Sequence, residues 1–299
     1  MSSNTVQTAL NVGDTFRSFC KNILIPSTTN DNIRYRYKRI TKQLNKDFWN
    51  YDSDTLHSLY VGSYGRDTDI IVSDIDILFW LPYNEYLRYN GYVGNGQSAL
   101  LQDVKKSIQK TYPETHLRAD GQVIIVHFRD GVRFEIVPCF ENTDNSFSYP
   151  DTNNGGSWKK TDPRPEIKAV KTRNDATNGN MKHLCRMARA WKKEWSVPMG
   201  GLHIDTLAYN FLGAWEHKGK SEIYYDWMSR DFFKYLSEQN TDQEFWYALG
   251  SYQKVYRKGA FEYKAKQCYK IALEAIEKQD YPYTAKSKWR EIYGTKFPA

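Results

Sequence analysis

Two acidic residues, Asp74 and Asp76, interrupt an otherwise apolar run that continues to Leu81. Residues two apart in a β-strand point to the same face, so we expect the two carboxylates side by side, with Ile75 and Ile77 packed on the other face. A lone Asp-x-Asp pair is more often a solvated strand edge or a turn, but carboxylates in a buried strand need a partner. A divalent cation relieves the repulsion between two such charges, and oxygen ligands of this kind suit Mg²⁺.

Glu135 is the expected third carboxylate of this metal site. It alternates with Phe134 and Ile136 in a strand-like run, so it faces away from the apolar side. In two-metal catalysis, such a carboxylate holds the ion that lowers the pKa of an attacking hydroxyl. Taken alone, Glu135 would more readily be a solvent-facing strand residue. Asp130 and Glu141 compete for the role, but both fall at predicted strand ends.

Gly62 and Ser63 follow a short apolar run and supply a second element of the site. A strand that ends in Gly-Ser places backbone N–H groups and a hydroxyl where a helix can begin, and such an end binds phosphate. On its own the dipeptide is an ordinary turn. The gap between Ser63 and Asp74 leaves room for a short helix and a return strand, which would place a triphosphate beside the metal pair.

Hydrophobic periodicity predicts the elements that position these residues. Before them, one helical face is formed by Ile33, Tyr37, Ile40, Leu44 and Phe48, with Asp31 or Thr28 as the cap. Strands are expected at Leu56–Val61, Ser73–Leu81, Val123–Phe128 and Val132–Phe140. The Asp130-Gly131 pair between the last two strands favours a hairpin.

The second half of the chain has a different pattern. Residues 142–165 are rich in Asn, Asp, Gly, Ser and Pro and predict a loop. From about Thr177 onward the pattern is helical, and the last clear helix spans about Phe261–Ile276. The layout predicts an α+β fold in which residues 1–165 hold a small mixed sheet and residues 166–299 form a helical lobe. A site in the cleft between two such lobes would be natural.

Composition narrows the ligand class. The 299-residue chain has a net charge of +7 and a pI of about 9, which suits nucleoside triphosphates, RNA or DNA as partners but also fits a merely basic protein. The apolar runs are too short to cross a bilayer, and the N-terminus lacks the order of a signal peptide, so we expect a cytoplasmic protein without a membrane partner. The four cysteines are widely spaced, which favours reduced thiols.

Three of these motifs together resemble a known family. Gly62-Ser63, Asp74-Ile75-Asp76 and Glu135-Ile136-Val137-Pro138 look like the G-S … D-x-D … [DE]-x-V-P pattern of polymerase β-like nucleotidyltransferases. The closer likeness is to the cGAS/DncV-like enzymes of bacterial anti-phage signalling, the SMODS group. Further support comes from four segments, at residues 62–82, 158–163, 186–192 and 201–207, and the resemblance covers about residues 55–215.

The resemblance implies an enzyme that joins two or three ribonucleoside triphosphates, ATP among them, into a cyclic product with release of pyrophosphate. The product would activate a downstream effector, and a nucleic-acid or protein activator of the enzyme is conceivable. By this likeness Asp74, Asp76 and Glu135 would hold two Mg²⁺ ions, which Mn²⁺ could replace. The same likeness makes Gly62, Ser63, Arg189 and Lys192 nucleotide-binding residues.

Some positions depart from the family pattern. The third carboxylate is often Asp and in this chain is Glu135, whose longer arm should still reach a metal ion. A Ser or Lys that relatives use near the triphosphate is replaced by Gly201 or Asp205. Arg189 and Lys192 could equally be an (i, i+3) pair on a solvated helix face.

Two other functions are compatible with the sequence. The first is a transferase of the same fold that adds nucleotides to RNA or to a protein. The second is a catalytically silent RNA-binding relative, whose affinity would fall steeply with salt. The presence of all three carboxylates favours an enzyme.

Overall fold

The computed structural model describes residues 9–71 and 74–299, and these form two compact units. We call residues 25–67 and 74–164 the sheet unit. Residues 9–24, 68–71 and 165–299 are the helical unit. Each unit is assembled from separate stretches of chain, so one boundary does not divide them. The domain boundary expected near residue 165 stays a prediction.

The principal regular elements are β-strands and α-helices, each numbered in chain order. The strands are β1 (Ser58–Tyr60), β2 (Ile75–Trp80), β3 (His116–Asp120), β4 (Val123–His127), β5 (Arg133–Glu141), β6 (Phe147–Asp151), β7 (Ser157–Thr161), β8 (Phe245–Tyr247) and β9 (Lys254–Tyr256). The α-helices are α1 (Val12–Asn22), α2 (Ser27–Leu44), α3 (Gly62–Gly65), α4 (Tyr83–Asn90), α5 (Gly96–Thr111), α6 (Arg164–Ala176), α7 (Asn180–Glu194), α8 (Gly201–Ala214), α9 (Tyr225–Ser237), α10 (Glu262–Glu277) and α11 (Pro282–Tyr293).

A mixed sheet organises the sheet unit. Its strand order is β1-β2-β5-β4-β3, with β6 and β7 continuing from the end of β5. The pair β2–β5 is parallel, and the remaining pairs are antiparallel. The α+β fold with a small mixed sheet that the sequence predicts is therefore confirmed.

One face of this sheet is buried, and that burial fixes the register. Ile75, Ile77, Phe134 and Ile136 lie in one apolar cluster with residues of α2 and α5. A shift of one residue in either strand would turn these side chains to solvent and drive the intervening carboxylates into the core. The packing of the apolar face therefore determines where the acidic residues lie.

The helix α2 has the apolar face that the sequence predicts. Ile33, Ile40 and Leu44 are buried along it. The predicted cap is wrong, because the helix begins at Ser27 directly after Pro26 and no side chain caps it. Pro26 precedes the helix with non-helical backbone angles and has no side-chain group that could accept a capping hydrogen bond. The helix therefore starts at Ser27, before either of the predicted caps, Thr28 and Asp31.

The predicted hairpin is confirmed, and the predicted loop is wrong. Strands β4 and β5 pair as expected across the Asp130-Gly131 turn, with His127 opposite Arg133. Residues 142–165, however, contain β6 and β7, which pair along their full length, and β6 begins at Phe147, opposite Glu141 of β5. Phe147 is fully buried at this point, so a single apolar anchor and non-local pairing override the turn-forming composition.

The helical unit has a separate core rich in aromatic rings. Phe16 of α1 packs edge-to-face on Trp289 of α11 and on Phe297, with ring centroids 5.1 and 5.2 Å apart. The unit is not entirely helical as predicted, because β8 and β9 form a hairpin within it. The helical pattern expected from about Thr177 starts earlier, with α6. Across residues 9–71 and 74–299, no helix has the length and apolar composition needed to cross a membrane.

Candidate active site

Two carboxylates meet at the centre of the sheet. Asp76 on β2 is the register partner of Glu135 on β5, so parallel pairing sets their side chains next to each other on the face opposite the core. Asp74, just before β2, is exposed, whereas Glu135 is largely covered. The structure thus brings together the three acidic residues that the sequence singles out.

This closeness changes the acidity of the carboxyl groups. Burial, followed by the charges of Glu135 and Asp74, raises the pKa of Asp76 to about 7. Burial also raises the pKa of Glu135, with Asp74 adding to the effect and Arg133 opposing it. For both groups, burial and repulsion between the carboxylates outweigh the attraction of the nearby arginines.

Arg133 bonds directly to two of these carboxylates, and Arg66 lies close enough to lower the pKa of Asp76 as well. One terminal nitrogen of Arg133 donates to Oδ2 of Asp74 at 2.7 Å and also to the Glu135 carboxylate. Because Arg133 begins β5 two residues before Glu135, strand alternation points both side chains to the same face. Arg133 was not identified from the sequence, although its position two residues before Glu135 in a predicted strand is a signal that could have identified it.

A one-turn helix closes the site beside Asp76. The backbone N–H of Val61 donates to the carbonyl of Asp76 at 2.9 Å, and α3 begins at the next residue. Gly62 has a φ of +63°, and a Cβ there would overlap Oδ2 of Asp76 and lie 2.7 Å from its Cγ. Ser63, partly buried, follows in the first turn of this helix. Only glycine therefore allows this backbone to approach the carboxylate so closely.

The competing carboxylates are occupied elsewhere in the sheet unit. Asp130 forms an ion pair with Arg36 at 2.8 Å, and Glu141 forms one with Arg164 at 2.7 Å. Glu135 faces the same side as Asp76, so it is the third carboxylate that the register provides.

The donor set fits a divalent cation. Its oxygens are hard ligands, and an ion of charge +2 would relieve the repulsion between its carboxylates. Within the described ranges, however, no three His, Cys, Asp or Glu side chains already surround one common point where an ion could bind. The carboxylates stand next to one another with Arg133 between two of them, so a bound ion would replace that ion pair.

Arg189 lies in the core of the helical unit. Its guanidinium makes two bonds to Asp205, at 2.6 and 2.9 Å, and also donates to the carbonyls of Cys185 and Gly201. The alternative of a solvated helix face is therefore wrong for this residue. These bonds give Arg189 a structural role at the start of α8, and the nucleotide contact expected for it stays a prediction.

Lys192 lies one turn further along α7 and is half-buried. Burial, together with the nearby charges of Arg189 and Lys258, lowers its pKa. Lys258 itself lies against Gly200, with its Nζ 3.7 Å from the point where a Cβ would stand. Lys258 was not identified from the sequence, because no local pattern links it to a helix more than sixty residues away.

Comparison with known proteins places this geometry in a family. The profile of the Second Messenger Oligonucleotide or Dinucleotide Synthetase (SMODS) domain matches residues 10–174. That match covers more than half of the chain, which therefore belongs to this family, as the motifs predict. The match also includes Gly62, Ser63 and all three carboxylates.

Solved structures confirm the fold. The chain is similar to a Vibrio cholerae di-nucleotide cyclase, DncV, with a TM-score of 0.74, 12% identity and 97% of each chain covered. It is also similar to Escherichia coli CdnC in a complex with HORMA-deltaN, with a TM-score of 0.68, 15% identity, and 97% of this chain and 99% of that one covered. For Bradyrhizobium diazoefficiens CdnG in complex with GTP, the TM-score is 0.65 at 10% identity, with 94% of each chain covered.

A curated relative matches part of the chain. It is a probable cyclic nucleotide synthase of Bacillus cereus, 25% identical over 147 residues. The aligned region is 46% of this chain and spans less than half of the relative, 42% of its length.

The approach of Gly62 to Asp76 can be tested by substitution. We expect Gly62→Ala to lower the free energy of unfolding by more than the ~1–2 kcal/mol that a positive φ costs, because its Cβ also displaces Asp76. Gly131→Ala is the matched control, since Gly131 has a φ of +85° but open space around it. Urea unfolding measures both variants, and equal losses would contradict the overlap.

The structural role of Arg189 predicts a stability effect. Arg189→Met leaves Asp205 buried without its cationic partner and should lower the free energy of unfolding by ~3–5 kcal/mol. Lys193→Met, on the exposed side of the same helix, should change it by less than ~0.5 kcal/mol. Adding Asp205→Leu to Arg189→Met should recover much of the loss. A loss in Arg189→Met no greater than in the control would refute the structural role.

The raised pKa of Asp76 predicts how stability depends on pH without metal. A carboxyl with a folded-state pKa of about 7 and an ordinary unfolded pKa stabilises the fold when protonated, and this contribution is lost as pH rises towards and through 7. Between pH 5 and 8.5 in EDTA, the wild type should lose roughly 2–3 kcal/mol more than Asp76→Asn. Urea unfolding at both pH values tests this, and parallel pH profiles would count against it.

Proposed function

We propose that this protein is a nucleotidyltransferase that condenses ribonucleoside triphosphates, ATP among them, into a cyclic di- or trinucleotide. The observation that carries the proposal is the parallel pairing of Asp76 with Glu135, with Asp74 and the Gly62 turn beside them. Phosphodiester formation by metal catalysis needs acidic ligands grouped beside a backbone that binds phosphate, and the Gly62 turn is proposed as that backbone.

The cofactor of the proposed reaction is Mg²⁺, as two ions that Mn²⁺ could replace, held by Asp74, Asp76 and Glu135. At such a site divalent cations lower the pKa of the attacking 2′- or 3′-hydroxyl and neutralise charge on the departing pyrophosphate. The buried face of the sheet keeps the three carboxylates in place before any ligand binds. That rigidity is what a catalytic site requires of its scaffold.

The proposed phosphate contacts come from two separate parts of the sequence. Backbone N–H groups at Gly62 and the hydroxyl of Ser63 bind the donor triphosphate, since a backbone without a Cβ can approach it closely. Lys192 is proposed to bind phosphate, because an anion would stabilise the charged ammonium that burial and the charges of Arg189 and Lys258 disfavour. Arg189 is proposed to contribute to nucleotide binding by fixing the position of Gly201, to whose carbonyl it donates a hydrogen bond.

The biological role follows from the family. We propose that the cyclic product is a second messenger that activates a separate effector in bacterial anti-phage (CBASS) defence, in the cytoplasm. A structure of CdnC contains a HORMA partner, and CdnG was solved with GTP. For the present chain a protein or nucleic-acid activator and a purine triphosphate substrate are proposals by analogy with those two proteins.

Product analysis tests the activity. Incubation with all four ribonucleoside triphosphates and Mg²⁺, followed by phosphatase and mass spectrometry, should reveal a phosphatase-resistant cyclic product. Asp76→Asn should lower its rate at least ~1,000-fold, because the metal site loses a charged ligand. Glu141→Gln is the control: this carboxylate lies on the same strand as Glu135 but pairs with Arg164, and its loss should leave the rate within about threefold.

Other outcomes of this assay identify the alternatives. Linear products would indicate a transferase that extends RNA or modifies a protein. An absence of product with and without added RNA or cell lysate, together with RNA binding that weakens steeply with salt, would indicate a silent RNA-binding relative.

A further inference from the structure

The hydrogen-bond partners of Arg133 differ from those of an arginine with a structural role. Its hydrogen bonds go to Asp74, at 2.7 Å, and to Glu135. Its Nε is buried and has no hydrogen-bond partner among the described residues. Arg189, by contrast, is fixed by a carboxylate and two backbone carbonyls. Among the residues that the structure describes, the guanidinium of Arg133 therefore bonds to groups that a metal ion would also bind.

We infer that Arg133 exchanges partners: it neutralises Asp74 and Glu135 in the metal-free protein, and it binds a nucleotide phosphate once divalent cations hold those carboxylates. This inference rests on the proposed function for the identity of the ligand. Arg133 is a positioning residue in the first state and a substrate contact in the second.

The relative strength of the interactions favours the exchange. The side chain of Arg133 is 36% exposed and that of Asp74 is 49% exposed, and ion pairs in contact with water are weak. A divalent ion carries twice the charge and bonds carboxylate oxygens directly, so it can displace the guanidinium. The displaced group stays next to the site because it begins β5, two residues from Glu135.

The released guanidinium has a chemically equivalent partner in the substrate. Its planar fork of donors matches phosphate as well as carboxylate, and an additional donor, Nε, is already without a partner. Because metal binding frees a phosphate-binding group, metal and nucleotide should each increase the affinity for the other. The exchange would thus couple the two ligands through one side chain.

The first test measures metal binding without nucleotide. Mn²⁺ titrations followed by electron paramagnetic resonance would be performed on the wild type, Arg133→Gln and Arg129→Gln. We expect Arg133→Gln to bind Mn²⁺ about three- to fivefold more tightly, which is the range that a partly exposed ion pair can supply. Arg129, an exposed residue of the β4–β5 turn, should have no effect when replaced.

The second test measures nucleotide binding with saturating Mg²⁺. Calorimetry with α,β-methylene-ATP, whose scissile bond resists turnover, should give about tenfold weaker binding to Arg133→Gln than to the wild type or Arg129→Gln. Tighter Mn²⁺ binding together with weaker nucleotide binding by Arg133→Gln is the result that exchange predicts. A merely structural arginine would weaken both ligands, and that result, or unchanged Mn²⁺ affinity, would overturn the inference.

A third measurement keeps the inference testable if the variant is unstable. In EDTA, Arg133→Gln removes the cation that bonds Asp74 and Glu135, so this variant should melt at a lower temperature than the wild type. Mg²⁺ should raise its melting temperature more than that of the wild type. An equal response to Mg²⁺ in both proteins would overturn the exchange. All three measurements proceed without turnover, so a failure to make a cyclic product would bear only on the proposed function.

Discussion

Repulsion among Asp74, Asp76 and Glu135 is the constraint on which the site depends. The apolar face formed by Ile75 and Phe134, with their neighbours, fixes the register of β2 against β5 and leaves the acidic side chains no alternative face. Core packing therefore supplies the free energy that holds like charges together. The repulsion between these carboxylates is tolerated because the apolar core of the sheet unit stabilises the strands that carry them.

The backbone near Asp76 is also constrained, in this case by its close approach to the carboxylate. Gly62 adopts a positive φ so that α3 can begin directly against the Asp76 carboxylate, and the Val61 N–H secures that turn by bonding to the Asp76 carbonyl. A position that admits only glycine therefore lies directly beside the carboxylates that repel one another. Arg133 reduces the repulsion only in part, since the pKa of Asp76 remains raised.

Much of this site could be predicted from the sequence because its signals are local. Alternation in β2 and β5 predicts which face Asp76 and Glu135 share, and the Asp-Gly turn before β5 predicts the hairpin. The parallel register that makes these two residues neighbours is a pairing between distant segments, which alternation does not determine. The strands β6 and β7 were missed for the same reason, since Phe147 gains its burial from elements far away in the sequence. Asp205 as the partner of Arg189 also depends on how two helices pack.

The pair of Arg189 and Asp205 explains a departure from the family pattern. Asp205 neutralises Arg189 in the core, so the acidic residue does not offset the charge of Lys192. Lys192 and Lys258 are neighbouring cations, and the lowered pKa of Lys192 reflects burial first and then the charges of Arg189 and Lys258. Each unit accordingly gathers like charges: carboxylates in the sheet unit and cationic groups in the helical unit. With the ligands of the proposed function, divalent cations would relieve the repulsion in the first group and phosphate that in the second, so each unit would gain stability from a ligand of opposite charge.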